Sequence, residues 1–192
     1  MIELILLGML YDGYPFTSYD LKKGMENSTE FFHSTSLGSI QPALKKMEMD
    51  GWLVSEDAIE KNRLKKYYRI TGAGKAHFNE ELRKDWGPDK LRCTQLVKTF
   101  FFDKLTLEEQ LSSIDQYLQG ISGIMAQLHE ISRTADVRLA AYDLTLDSCP
   151  GARSQMDTLD FGLEYHQFLT NWFTRYKQTL IERSKKNEAD HH

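Results

Sequence analysis

The sequence predicts a mainly α-helical protein in two parts: a small helix-and-hairpin domain over residues 1–85 and an all-helical domain over residues 89–186. Three observations carry this. The first half mixes helical periodicity with one pair of β-rich segments, whereas the second half holds helical periodicity alone. The second half also carries an apolar seam at steps of four and three from Leu107 to Leu128. Between the halves lies Trp86-Gly87-Pro88-Asp89, where proline and glycine together end a helix and turn the chain.

Ile2 to Leu10 reads as an apolar helix, ended by the turn chemistry of Asp12-Gly13-Tyr14-Pro15. Thr17 or Ser18 caps a second helix through Tyr19, Leu21, Lys22 and Met25. Phe31 and Phe32 anchor the loop after it. Ser34-Thr35-Ser36 is a cluster of N-cap residues ahead of a third helix, which Gly51 stops after Asp50. Ile40, Leu44 and Met47 recur at helical spacing as its buried stripe. Pro42 suits a helix that begins near Ser39, because proline is tolerated in a first turn. Trp52-Leu53-Val54-Ser55 reads as a strand, the polar stretch from Glu56 to Leu64 as a turn or extended loop, and Lys65-Lys66-Tyr67-Tyr68-Arg69-Ile70 as the returning strand. Thr71 then caps a fourth helix towards Arg83. Three helices, a two-stranded hairpin and one more helix make the order of a winged helix-turn-helix domain with a two-stranded wing.

In the second half, Asp89 or Lys90 starts a helix through Leu91, Leu96 and Val97 to Phe100-Phe101-Phe102. Thr106-Leu107-Glu108-Glu109 is a capping box, and it opens the seam Leu107, Leu111, Ile114, Leu118, Ile121, Met125 and Leu128. Asp147-Ser148-Cys149-Pro150-Gly151 breaks the chain again. The last helix carries Phe161, Tyr165, Phe168, Leu169, Trp172, Phe173, Tyr176 and Leu180, an apolar band wider than one small helical pair needs.

Composition narrows the function classes. Of 192 residues, 41% are hydrophobic and 27% charged, the balance of a soluble globular protein. No apolar run approaches the roughly 20 residues that span a bilayer. The apolar start carries Glu3 and lacks a basic flank, so it is expected to be a buried helix and not a signal peptide. Cys93 and Cys149 fit no metal or redox spacing and are expected as free thiols in a reducing cytoplasm. The net charge of −4 is unevenly placed. Residues 1–84 hold 12 acidic and 12 basic groups, whereas residues 85–192 hold 16 and 12. From Lys61 to Lys75 there are six basic residues (Lys61, Arg63, Lys65, Lys66, Arg69, Lys75) and no acid.

A charge run alone is an ordinary solvated face. Its context here is a helix and a wing. With Ile40, Leu44 and Met47 turned inwards, Pro42, Lys45 and Met49 point outwards, with Ser36, Ser39, Gln41 and Lys46 towards the helix start and flanks. A helix in the major groove needs such short polar or basic side chains; glutamine can bond an adenine edge in bidentate fashion. The hairpin adds Lys61, Asn62, Arg63, Lys65 and Lys66, whose phosphate contacts would give salt-dependent affinity for double-stranded DNA.

The residues of this half resemble one family. Gly38-Ser39-Ile40-Gln41-Pro42-Ala43-Leu44-Lys45-Lys46-Met47-Glu48, then Asp50-Gly51-Trp52-Leu53, then Lys66-Tyr67-Tyr68-Arg69-Ile70-Thr71-Gly72-Ala73-Gly74 look like the PadR family of bacterial transcriptional regulators. Ile5 to Leu10 and Tyr19-Asp20-Leu21 fit as well. The run from Leu96 to Phe102 and the helical remainder resemble its larger members, with a helical C-terminal dimerisation domain. Two departures stand out: Lys61-Asn62-Arg63-Leu64-Lys65 replaces the Gly-Arg-Pro-like segment common before the paired tyrosines, and Gln41 stands where many members have tyrosine. The resemblance implies a repressor, less often an activator, bound as a dimer to an inverted-repeat operator. The third helix would lie in the major groove and the wing beside the minor groove or backbone. Some members release DNA when a small aromatic or hydrophobic effector binds.

The second half has its own expectation. The seam Leu107, Leu111, Ile114, Leu118, Ile121, Met125 and Leu128, with Phe168, Trp172 and Phe173, is more apolar surface than the remaining helices of one chain can cover. That points to a homodimer through a coiled-coil-like interface, against the plainer readings of an intrachain helix pair or core. Trp86, Tyr165, Phe168, Trp172 and Tyr176 suit an effector pocket by residue type, but aromatics at helical spacing are more often core or interface.

Catalysis and metal binding have little support, and no cofactor is expected. Asp157, Asp160, Glu164 and His166 lie close in sequence, yet they read first as the exposed face of the last helix. Gly72-Ala73-Gly74 follows a hairpin strand and opens a helix, unlike a nucleotide-binding loop. The competing function is a helical adaptor that uses the winged helix for protein contacts without DNA.

Overall fold

The computed structural model describes residues 1–29, 36–60, 63–85, 87 and 93–189. Phe31, Phe32, Ser34, Thr35, Lys61, Asn62, Trp86, Pro88, Asp89, Lys90 and Leu91, all named above, lie outside them. The chain divides into two compact units, Met1–Asp89 and Lys90–His192. Among the described residues no helix is long and apolar enough to cross a membrane.

The first unit runs α1 (Ile2–Met9), β1 (Phe16–Thr17), α2 (Ser18–Ser28), α3 (Leu37–Met49), β2 (Leu53–Glu60), β3 (Arg63–Ile70) and α4 (Gly72–Arg83). Its core is Leu6 and Leu7 of the first helix with Leu10 just after it, Leu21 and Met25 of the second, Ile40, Ala43, Leu44 and Met47 of the third, and Leu53 of the hairpin. The inward stripe expected for α3 is therefore the observed one, with Ala43 added. Thr17 caps α2 through a capping box with Asp20. Gly51, at φ +74°, ends α3 in a left-handed conformation that a side chain would strain. The amide of Gly51 bonds the Glu48 carbonyl and that of Trp52 the Met47 carbonyl, so the chain leaves the helix through a Schellman turn. Thr71 caps α4 by accepting from the Gly74 amide, and its hydroxyl donates to the Gly51 carbonyl at 2.7 Å. Gly74 is obligatory: a Cβ there would stand 2.3 Å from the Trp52 carbonyl oxygen.

Three details differ from the sequence expectation. The sheet has three strands in the order β1-β3-β2, because Phe16 and Thr17 pair with Tyr68 and Tyr67. Glu56 to Glu60, and Arg63 with Leu64, are strand and not turn or loop: β2 runs to Glu60 and β3 starts at Arg63, with Glu60 opposite Arg63. Polar side chains hide a strand when neither face is buried, and ladder hydrogen bonds then hold it. Finally, α3 starts at Leu37, so Pro42 sits inside the helix beyond its first turn. It cannot donate to the Gly38 carbonyl, which lies on the exposed side.

The second unit holds α5 (Thr94–Phe100), a 3-10 turn Phe102–Lys104, α6 (Leu107–Ala141), a second 3-10 turn Leu146–Ser148 and α7 (Pro150–Ala189). Cys93 is extended, so the helix does not run through it from Asp89 or Lys90 as expected. The capping box at Thr106 and Glu109 opens α6, and Pro150 starts α7 where its missing N–H costs nothing. The two long helices pack antiparallel. Lys177 meets Asp115 at 2.6 Å near one end, and Gly162 lies against Leu128 further along. Phe102, Ile114, Ile121, Leu169 and Phe173 form the core between them.

That packing divides the heptad seam. Ile114, Ile121 and Leu128 are 1–2% exposed, as is Phe173 on the facing helix. The chain's own helices cover these four, so a partner cannot touch them directly in this conformation. Leu107, Leu111, Leu118, Met125 and Trp172 are half-buried, and Phe168 is exposed. A strict step of 3.5 marks a seam equally well for a neighbour within the chain or outside it.

Candidate nucleic-acid interface

The outer face of α3 carries Ser36, Ser39, Gln41, Pro42, Lys45, Lys46 and Met49, all exposed. They are not equally free. Ser36 is the N-cap; its amide donates to Ser39 Oγ at 3.3 Å, and Ser39 Oγ donates to the Ser36 carbonyl at 2.8 Å. Both serines are thus engaged in starting the helix. Lys46 Nζ donates to Glu3 Oε1 at 2.7 Å, which ties α3 to α1. The hydrogen bond and charge of Glu3 raise the Lys46 pKa. Gln41 and Lys45 have no hydrogen bond or ion pair among the described residues.

The wing has two faces, because successive strand residues alternate and opposed residues share a side. Leu53, Ser55, Asp57 and Ile59 pair with Ile70, Tyr68, Lys66 and Leu64 on the side that begins at the core. Val54, Glu56, Ala58 and Glu60 pair with Arg69, Tyr67, Lys65 and Arg63 on the other. Lys65 and Lys66 therefore lie on opposite faces. Lys65 Nζ donates to Glu60 Oε2 and Tyr67 Oη to Glu60 Oε1, both at 2.7 Å, and each pKa is raised by that hydrogen bond. Lys66 Nζ donates to Glu48 Oε2 of α3 at 3.0 Å and stands 5.4 Å above the Tyr68 ring. The hydrogen bond from Lys66 raises its pKa too. Glu48 also accepts from the Ser55 hydroxyl. Burial pushes the Glu48 carboxyl up, but the hydrogen bonds from Ser55 and Lys66 outweigh it and hold the pKa below the usual value. Arg63 has no partner among the described residues.

The run of bases without an acid is therefore a property of the sequence alone. In space, Glu3, Glu48 and Glu60 meet three of the candidate lysines. The unengaged cations of the described interface are Lys45 on α3 and Arg63 near the wing tip; Lys61 and Asn62 lie outside the described residues.

The helical unit holds a concavity of about 520 Å³, lined by Cys93, Lys98, Gln116, Tyr117, Tyr165 and His166 among others. Burial pushes the Tyr117 phenol up to about 12, with Cys93 and Tyr165 adding to it. His166 is 9% exposed, and its Nδ1 lies 2.6 Å from the Gly162 carbonyl oxygen. This corrects its placement on the wet face with Asp157, Asp160 and Glu164, which are exposed. The sequence carried the signal: Leu159, Gly162, His166, Leu169 and Phe173 recur at steps of three and four, which puts His166 in the apolar stripe. No group of acidic, histidine or cysteine residues among the described residues could hold a metal ion. Of the aromatics, Tyr165 lines the concavity, whereas Trp172 and Tyr176 stack at 5.1 Å against the core.

Residues 6–80 match the model of the Transcriptional regulator PadR-like family. The chain is 26% identical over 121 residues to the negative transcriptional regulator PadR of Bacillus subtilis, an alignment spanning 62% of this chain and 66% of that protein. The crystal structure of Bacillus subtilis PadR in complex with operator DNA covers 93% of this chain and 98% of its own, with a TM-score of 0.77 at 19% identity. The same protein in complex with p-coumaric acid gives 0.72 at 18% identity, over 94% of this chain and 98% of its own. At such identities the structural likeness shows a shared fold over both units.

Proposed function

We propose that this chain is a sequence-specific DNA-binding regulator, a repressor acting as a homodimer on an inverted-repeat operator, as the match of residues 6–80 to the model of the PadR-like family of transcriptional regulators supports. One observation carries the reading: Gln41 and Lys45 of α3 are exposed and, like Arg63 of the wing in the same unit, have no side-chain hydrogen bond or ion pair among the described residues. In this reading Gln41 reads a base edge in the major groove, with Ser36, Ser39 and Pro42 setting how closely the helix start approaches. Lys45, Arg63 and Lys65 bind phosphates, joined by Lys61 and Asn62 of the same sequence run. Lys65 must exchange Glu60 for a phosphate. Lys46 is held by Glu3 and serves the backbone less. Two such domains, held by the helical units, would read half-sites about one turn, roughly 34–36 Å, apart. A regulator of this kind works in the cytoplasm.

The test is selection of bound duplexes from a random pool, followed by titration in salt. Neutralising Lys45 or Arg63 should weaken binding to every duplex and lower the salt slope by about one each. Gln41→Ala should alter sequence preference; a uniform loss across duplexes would remove its base-reading role. Binding insensitive to salt would favour the adaptor instead.

A second reading, release of DNA by an effector, is supported by the concavity in the helical unit. Its size suits a small molecule. Tyr117 and Tyr165 offer aromatic walls, and Lys98 offers a cation for a carboxylate. A small aromatic acid should protect the second unit from thermal unfolding, and Tyr165→Ala should abolish the protection.

A further inference from the structure

We propose that Glu48 is a positioning residue that locks the wing to α3, and that Lys66 serves this lock and does not bind a phosphate; the inference rests on the DNA-binding reading above. Glu48 lies near the end of α3, and its carboxylate takes hydrogen bonds from both strands of the hairpin: from Ser55 on β2 and from Lys66 on β3. These two residues occupy neighbouring rungs on the core-facing side, where Ser55 opposes Tyr68 and Lys66 opposes Asp57. Towards the core, Leu53, Tyr68 and Ile70 are held by packing. Beyond the lock, Ile59 and Leu64 oppose each other at 76% and 72% exposure, so this apolar pair does not hold the hairpin to the body. Among the described residues, Glu48 is thus the last tie before the wing projects.

The energetics favour a lock over a spare phosphate contact. A half-exposed ion pair is weak on its own, but this carboxylate binds two strands at once, which fixes an angle as well as a distance. If Lys66 turned to a phosphate, Glu48 would lose its cation and face a polyanion. Lys65 offers a control: it sits on the other face and pairs with Glu60 of the same hairpin, so it cannot tie the wing to the helix. A wing held at one angle raises the affinity for a matched site over other DNA, because helix and wing must engage together.

The experiment compares the full-length wild type with Glu48→Gln, Lys66→Gln and the double variant. The probes are a duplex selected by the wild type and an unselected duplex of equal length. Expected is a loss of about tenfold in the affinity ratio between the duplexes for each single variant, with the double variant no worse than either. Hydrogen exchange of the free protein should show β2 and β3 amides near Ser55 and Lys66 exchanging about tenfold faster in Glu48→Gln, with α1 and α4 unchanged. Ser55→Ala, which leaves the ion pair intact, should give a smaller change of the same kind. An unchanged ratio, with Lys66→Gln weakening both duplexes equally, would make Lys66 a phosphate contact and overturn the proposal. Unchanged hairpin exchange would overturn the lock by itself. If the wild type binds neither duplex, the DNA-binding reading falls, and the exchange measurement still decides the lock.

Discussion

The two units solve the problem of burying apolar surface differently. The first closes a core within itself: Leu6, Leu10, Leu21, Met25, Ile40, Leu44 and Met47 come from three helices and are fully buried. The second builds most of its core between two long helices, and one pair of helices has only one shared face. Phe100, Phe161 and Phe168 are left at 80%, 71% and 59% exposure, with Val97, Phe101 and Tyr142 also exposed. Contiguous exposed aromatic surface of this kind commonly marks an interaction site. The first unit thus buries its apolar side chains by itself, whereas the second leaves large aromatic side chains uncovered, as the proposed dimer would require.

The largest expected effect tests the self-sufficient side. Leu44→Ala should destabilise the first unit by about 2–5 kcal/mol, because it opens a cavity in a closed core; chemical unfolding would measure it. Phe161→Ala together with Phe168→Ala should cost far less at concentrations where the chain is monomeric. An equal loss there would dissolve the contrast between the units.

Assembly comes next. Light scattering at micromolar concentration should give twice the chain mass of 22.3 kDa. Phe161→Glu with Phe168→Glu should return a folded monomer if these side chains lie in the interface. Retention of the dimer would move the interface to the half-buried Leu111, Leu118 and Met125.

A smaller effect concerns the start of α6. Thr106→Ala removes the hydroxyl that accepts from the Glu109 amide and should lower stability by about 1 kcal/mol in thermal unfolding. The smallest is a pH effect at the same cap. Hydrogen bonds from the Thr106 backbone and hydroxyl hold the Glu109 pKa below the usual 4.5. A lowered folded pKa contributes stability that is present above 4.5 and lost as pH falls through the folded value. The difference in melting temperature between wild type and Glu109→Gln should therefore exist at pH 7 and vanish in acid.

Much of this fold is encoded locally in the sequence. Helix order, the inward stripe of α3, the stop at Gly51, the caps at Thr71 and Thr106, and the α2 cap to within Thr17 or Ser18 are readable from the sequence, because each depends on residues within a few positions of one another. The wing was only half legible. Its apolar base showed as β-rich segments, but Glu56 to Glu60 carries no burial pattern to read. The short β1 was hidden because two residues cannot show a period.

The sequence by itself determined the class of the molecule: a winged helix with a basic hairpin, followed by a helical domain rich in apolar seams. Local spacing encodes these, since periodicity and capping act over a turn or two of chain. Only the tertiary structure decided which seam residues the chain covers for itself, which face of the wing each lysine takes, and which lysines meet a carboxylate. Glu3 and Lys46 are 43 residues apart, and Glu48 and Lys66 are 18 apart. Charge along a sequence adds up by position, whereas charge in a fold acts by distance, and folding sets that distance.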